Sequence, residues 1–116
     1  MKTITISDMA CKCGCGEVKA GEHFLEILNL ALIMSGLDVT INSGYRCAKH
    51  NAEVGGVPTS AHTKGLAVDL AVPSSQDRFR LVQALLTAGF KRIGLGSNFI
   101  HVDEDPSLPP RVMWLY

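Results

Sequence analysis

Neither sign of charge is in excess: eleven basic residues balance eleven acidic ones, and no stretch concentrates either kind. Long-range attraction to nucleic acid or to an anionic membrane is thereby excluded as the force behind binding. Local contact with a polar substrate is not. Long hydrophobic runs are missing too. The richest, residues 24–34, is interrupted by Glu26 and Asn29 and falls short of the roughly 20 residues that a membrane span takes. The first ten residues hold one lysine and no continuous apolar segment, so no signal peptide is read there. The expectation is a soluble protein made in the cytoplasm, with neither nucleic acid nor membrane as partner. Internal repeats and low-complexity segments are also absent.

What is present suits one domain, residues 1–116, with 47% apolar residues. A chain of this length buries roughly two-thirds of its unfolded surface. The four cysteines are Cys11, Cys13, Cys15 and Cys47. The first three alternate, a spacing unlike the two-residue gap of common zinc knuckles. On an extended segment their thiols would point the same way. Three readings stay open here: reduced structural thiols, a disulfide from Cys47 to one of the other three, or a second metal site.

Taken in order, residues 3–6 alternate as a short edge strand would. Residues 24–34 form a helix that is apolar on most sides and so should be buried, stopping at Gly36. Residues 38–42 are rich in β-branched side chains and read as a strand. A short helix over 48–54 ends at Gly55 and Gly56. Residues 66–72 form a strand with Leu66, Val68 and Leu70 on one face and Ala67, Asp69 and Ala71 on the other. Ser74 to Asp77 resembles a helix cap, and the helix beyond it should turn Phe79, Leu81, Val82, Leu85 and Leu86 inward. Strands over 90–95 and 98–103 form a hairpin about Gly96 and Ser97. A proline-bearing irregular tail leads to an apolar end, residues 112–116. The sum is an α+β fold with two or three helices and a small, mainly antiparallel sheet of four or five strands.

Within that frame Asp69 is the unusual residue. A carboxylate in mid-strand among apolar neighbours is costly unless a cation or several donors meet it. His62 lies seven residues earlier, and Gly65 permits the reversal that folds it back over the strand. On residues 98–103 the alternation puts Phe99, His101 and Asp103 on one face. Two imidazoles and one carboxylate with a position left open is a donor set that zinc hydrolases use. A hydrogen-bonded strand histidine and a loop-capping aspartate are the competing reading from spacing alone. Arg46, in Ser43-Gly44-Tyr45-Arg46-Cys47, is either a surface ion pair or a bidentate grip on a substrate carboxylate.

Ser60, His62, Gly65, Ala67 and Asp69, in the stretch Ser-Ala-His-Thr-Lys-Gly-Leu-Ala-Val-Asp, resemble position for position the first zinc-ligand motif of the M15 peptidases. These are the D-alanyl-D-alanine carboxypeptidases and dipeptidases, with related phage endolysins. Ser43 to Arg46 is similar to that family's substrate-binding segment. Residues 89–94 followed by 99–103 resemble its second ligand strand. The likeness spans about residues 13–103 and is nearest the small single-domain branch. It implies the fold shared by hedgehog and D-Ala-D-Ala peptidases, and a zinc peptidase acting on peptidoglycan peptides. His62, Asp69 and His101 would hold one Zn2+. Arg46 would anchor a substrate carboxylate or carbonyl, with Tyr45 and Ser60 at the substrate and Asn51 shaping the pocket. A monomeric lysis protein of phage or prophage origin, acting at the cell wall, fits the size.

One position departs from the family. Many M15 enzymes carry Glu or Asp three residues before the last zinc histidine as general base, and Asn98 stands there. The next acid on the ligand face is Asp103, with its Cβ about 7 Å from that of His101. It is expected either to act as base or to orient His101, with Glu104 and His50 as lesser candidates for the base. The rival from another class is a zinc-containing binding module without turnover, a use the hedgehog domain makes of this fold family, and Asn98 favours it.

Overall fold

A five-stranded mixed sheet carries the molecule, and its alternation separates a greasy face from a polar one. The computed structural model describes residues 3–116. Its strands are β1 (Ile41–Ser43), β2 (Ala67–Ala71), β3 (Arg92–Leu95), β4 (Phe99–Asp103) and β5 (Val112–Leu115). They lie in the order β1-β2-β4-β3-β5, antiparallel throughout except for the parallel pair β3 and β5. The α+β class and the mainly antiparallel sheet are as the sequence predicts.

The helices are α1 (Glu22–Ser35), α2 (Ala48–Glu53) and α3 (Ser75–Ala88). Serine at the start and glycine at the end define α3: Ser74 Oγ accepts from Asp77 N, and Gly89 takes a left-handed φ of 113°. Gly36 closes α1 in the same way at φ 70°, its N–H shared between the carbonyls of Leu32 and Ile33. One core forms where Phe24, Leu28 and Leu32 of α1 and Leu81 and Leu85 of α3 meet Val68, Leu70, Ile93, Ile100 and Val102 of the sheet. Burying each large side chain contributes about 1.5–3 kcal/mol.

Three expectations need correction, and one strand is added to those expected. Residues 3–6 are not an edge strand. The Asn29 side chain satisfies both Ile4 N (2.7 Å) and Ile4 O (2.8 Å), as a strand partner would, and the chain then turns through a 3-10 helix at Ile6–Met9. Helix α1 is buried along one stripe, leaving Leu30, Ile33 and Met34 exposed. In α3, Phe79 is 72% and Leu86 51% exposed. The inward stripe runs through Leu81, Ala84 and Leu85, and at about 100° per residue Phe79 lies on the opposite side from Leu81. Finally, the apolar chain end is a strand, β5, beside β3.

Candidate metal centre

On the polar face the strand register lines up one residue from every strand. Ser43 pairs with Asp69, Asp69 with His101, His101 with Gly94 and Gly94 with Trp114. This row exists because the neighbours of these residues in β2 and β4 (Val68, Leu70, Ile100 and Val102) are fully buried in the core. Alternation then forces Asp69 and His101 to the other side.

His62 reaches the row from outside the sheet. It sits in a 3-10 turn, Ala61–Lys64, where Ser60 Oγ accepts from His62 N at 3.2 Å. Gly65 ends the turn at φ 71° and leads into β2. A Cβ there would lie 2.6 Å from the Lys19 carbonyl carbon and oxygen and 2.9 Å from Ala20 N, all backbone atoms. Gly65→Ala therefore combines left-handed strain with overpacking, and we expect a loss of roughly 2–4 kcal/mol. Denaturant unfolding of the variant beside the parent checks it.

The three side chains converge. Asp69 Oδ1 lies 2.8 Å from His101 Nδ1 and 3.4 Å from His62 Nε2, and the two imidazole rings are 5.3 Å apart. One ligand atom from each of His62, Asp69 and His101 falls within 4.8 Å of the others. The remaining ring nitrogens are held from behind. His62 Nδ1 donates to Gly44 O at 2.7 Å, and His101 Nε2 donates to Asp103 Oδ2 at 2.7 Å. With those nitrogens engaged, His62 Nε2 and His101 Nδ1 are the ones that face Asp69, and once deprotonated they would turn their lone pairs to a metal held beside its carboxylate. Two nitrogens and one carboxylate oxygen so arranged fit Zn2+ with a position left open.

Electrostatics agree with a cation site. Burial raises the Asp69 pKa, but hydrogen bonds and charge from His101 and His62 outweigh it and hold the carboxyl well below its usual range. Burial likewise lowers His101, yet Asp103 and Asp69 together raise it above the ordinary imidazole value. Asp103 is lowered, its burial overcome by His101 and Arg92.

These directions predict how pH acts. In the metal-free protein, a His101 pKa above its unfolded value stabilises the fold fully below about pH 6.5, and the contribution fades as pH rises through the folded value. The lowered carboxylates contribute above about pH 4 and lose that contribution as pH falls. A metal at Nδ1 must displace the His101 proton. Its affinity should rise about tenfold per pH unit below the raised pKa, with proton release. Calorimetry in buffers of different ionisation enthalpy checks both.

Arg46 also reaches the row. Its Nη2 lies 3.5 Å from Asp69 Oδ2, its Nε donates to Ser43 Oγ at 3.0 Å, and its Nη1 to Asn51 Oδ1 at 3.2 Å. The structure does not bring the Tyr45 side chain there. Tyr45 is buried with Cys11 and Cys47, and that burial pushes its phenol pKa up. Ser60 acts on the His62 backbone, as above. Asp103, 2% exposed, is engaged on both oxygens, with Oδ1 accepting from Arg92 Nε at 2.8 Å. Asn98 is exposed at the foot of β4. Glu104 faces His23 at 3.1 Å and His50 faces Glu53 at 4.0 Å.

The sequence reading missed the aromatic flank. Trp114 lies 5.6 Å and Tyr116 6.5 Å, ring to ring, from His101, with the Arg92 guanidinium 5.0 Å over Trp114. Gly94 makes room, since a Cβ there would meet Trp114 and Tyr116 atoms at 2.6–2.7 Å. The available signal was two aromatics at alternate positions, 114 and 116, in an otherwise apolar run. A cavity of about 440 Å3, lined by His23, Ile27, Arg92, Glu104 and Leu108, borders Asp103 but none of His62, Asp69 and His101.

A small mixed sheet presenting two histidines and an aspartate toward one point defines the class, an α+β domain with a candidate metal site. The family model for peptidase M15 matches residues 2–103. The chain belongs to the peptidase M15 family, whose members are zinc peptidases. The match takes in Arg46, His62, Asp69, His101 and Asp103 and stops short of β5. Comparison with curated proteins finds no match.

Proposed function

We propose that this protein is a Zn2+-dependent peptidase that hydrolyses amide bonds in peptidoglycan stem peptides or their cross-links, in the manner of D-Ala-D-Ala carboxypeptidases or endolysin peptidases. The observation that carries the reading is the convergence of His62, Asp69 and His101 beside Arg46 in a chain of the M15 family. Action at the cell wall follows from that substrate class, and nothing in the reading requires a second copy of the chain.

His62 Nε2, an Asp69 oxygen and His101 Nδ1 hold the metal in this reading. Bound there, Zn2+ supplies a Lewis acid for the scissile carbonyl and an activated water. Gly44 O and Asp103 keep the two imidazoles in the tautomers that metal binding needs. Of the two roles expected for Asp103, its contacts support orientation of His101, because both of its oxygens already accept hydrogen bonds. Arg46 grips a carboxylate or carbonyl of the peptide, and Trp114 with Tyr116 gives the substrate an apolar wall.

Arg46→Ala should lower kcat/KM by roughly 10–100-fold, the equivalent of one charge-assisted hydrogen bond. Lysine should rescue only partly, because it lacks the fork. Steady-state kinetics on a peptide with a free C-terminal carboxylate and on its amide would check the role, the loss being smaller on the amide.

A specific observation favours a second reading, a zinc-containing binding module without turnover: Asn98 stands at the position of the family's base, and Asp103 is fully engaged. Assay of purified peptidoglycan fragments separates the two. Product that disappears with chelator and returns with Zn2+ supports the peptidase. Zinc bound at His62, Asp69 and His101 with no product at high enzyme would leave the binding module.

A further inference from the structure

The second cluster of metal-ligating side chains lies apart from the row. Cys11, Cys13, Cys15 and Cys47 each offer a sulfur, and the four sulfurs lie within 4.8 Å of one another. Cys11 Sγ is 3.4 Å from Cys13 Sγ, and Cys47 Sγ is 3.7 Å from each of them. A tetrahedral Zn2+ with Zn–S bonds of about 2.3 Å requires sulfurs about 3.8 Å apart. All four cysteines are free.

Backbone geometry builds this cluster. On an extended strand, alternate thiols would stand roughly 7 Å apart. Here Gly14 and Gly16, with φ of 85° and 80°, coil the segment so that the sulfurs close on each other. No atom lies within 4 Å of a Cβ built at either position, so conformation and not space calls for glycine. Three sulfurs accept backbone N–H groups at 3.4 Å: Cys11 from Cys47, Cys15 from Glu17, and Cys47 from His50. Such donors are what thiolates use to offset their charge when they share a metal.

We propose that Cys11, Cys13, Cys15 and Cys47 form a second metal site, a structural tetrathiolate centre for Zn2+. Binding releases the protons the thiols carry and closes the coordination sphere, so this centre does no chemistry. It clips residues 11–15 onto the segment that follows β1. That segment carries Gly44, whose carbonyl holds His62, and Arg46, which reaches Asp69. The clip is reinforced where Tyr45 N donates to Met9 O at 2.7 Å. The proposal is independent of any peptidase activity.

Zinc content and cobalt spectroscopy test it on the full chain. The protein purified under reducing conditions should carry two zinc equivalents. A Cys13→Ser/Cys15→Ser variant should lose one of them, and His62→Ala should lose the other. Titration of the parent with an organomercurial should release one equivalent as four thiols react. Loaded with Co2+, the parent and His62→Ala should both show the intense sulfur-to-cobalt charge-transfer band. These last two measurements decide the matter even if the cysteine variant fails to fold. One zinc that depends on His62 alone, four thiols that react without metal release, or a non-reduced mass two or four hydrogens low would overturn the proposal. Failure of catalysis with two zincs bound would count against the peptidase reading and not against this site.

Discussion

His62→Ala should lose the metal of the row and the hydrolysis that depends on it in the same step. His62 is 3% exposed, and its Nε2 is one of the three atoms converging on a single point. Alanine offers no donor to a metal. Two ligands, Asp69 and His101, remain, and in the absence of metal they hold each other through a 2.8 Å hydrogen bond. That bond competes with rebinding. Metal stabilisation of developing charge is worth several kcal/mol, so the loss in kcat should be on the order of 10^3-fold or more. Zinc content, measured beside activity at saturating substrate, checks the coupling. Activity lost while zinc remains at full occupancy would remove His62 from the ligand set.

Asp103→Ala should cost both stability and metal affinity. The carboxylate is 2% exposed and joins the Arg92 guanidinium, itself mostly buried, to His101. Removing it leaves Arg92 short of its charge partner, at a cost of about 3 kcal/mol, or a fall in Tm of roughly 10–20 °C. It also frees Nε2 of His101, and loss of such an outer partner typically weakens metal binding 10–100-fold. Asp103→Asn keeps the shape and one acceptor and should fall between the two. Thermal melts of the metal-free proteins isolate the first effect, and competition with a chelating dye the second. Lower stability with unchanged zinc affinity would limit Asp103 to the Arg92 pair.

Both predictions rest on features of unequal legibility. Asp69 and His101 could be read because a strand of period two carries one bit of information per residue. Val68, Leu70, Ile100 and Val102 are apolar, so the faces were settled and only the pairing was left to find. The pairing then proved direct. His62 could be read because Gly65 marks a reversal. Tyr45 could not, because nothing in Ser-Gly-Tyr-Arg-Cys says which side chain turns to the centre. Arg46 does, while Tyr45 is buried beside Cys11 and Cys47. The roles of Trp114 and Arg92 are set by β5 crossing back to lie beside β3. That contact is distant in sequence and preceded by a proline-bearing tail that carries no strand pattern. Phe79 misled for a simpler reason. Its apolar ring favours the core, whereas its angle about α3 faces solvent.

The cross-sheet row has a consequence for how the chain selects its native pairing. Were β4 to slide by one residue against β2, Ile100 or Val102 would stand where His101 does, and His101 would enter the core. A slipped sheet therefore cannot bring His62, Asp69 and His101 together, while the native one does. Ligand present at 1,000 times its dissociation constant favours the binding-competent form by about 4 kcal/mol. For this fold, zinc would act as a proofreader of strand register, rewarding only the alignment that seats Asp69 opposite His101.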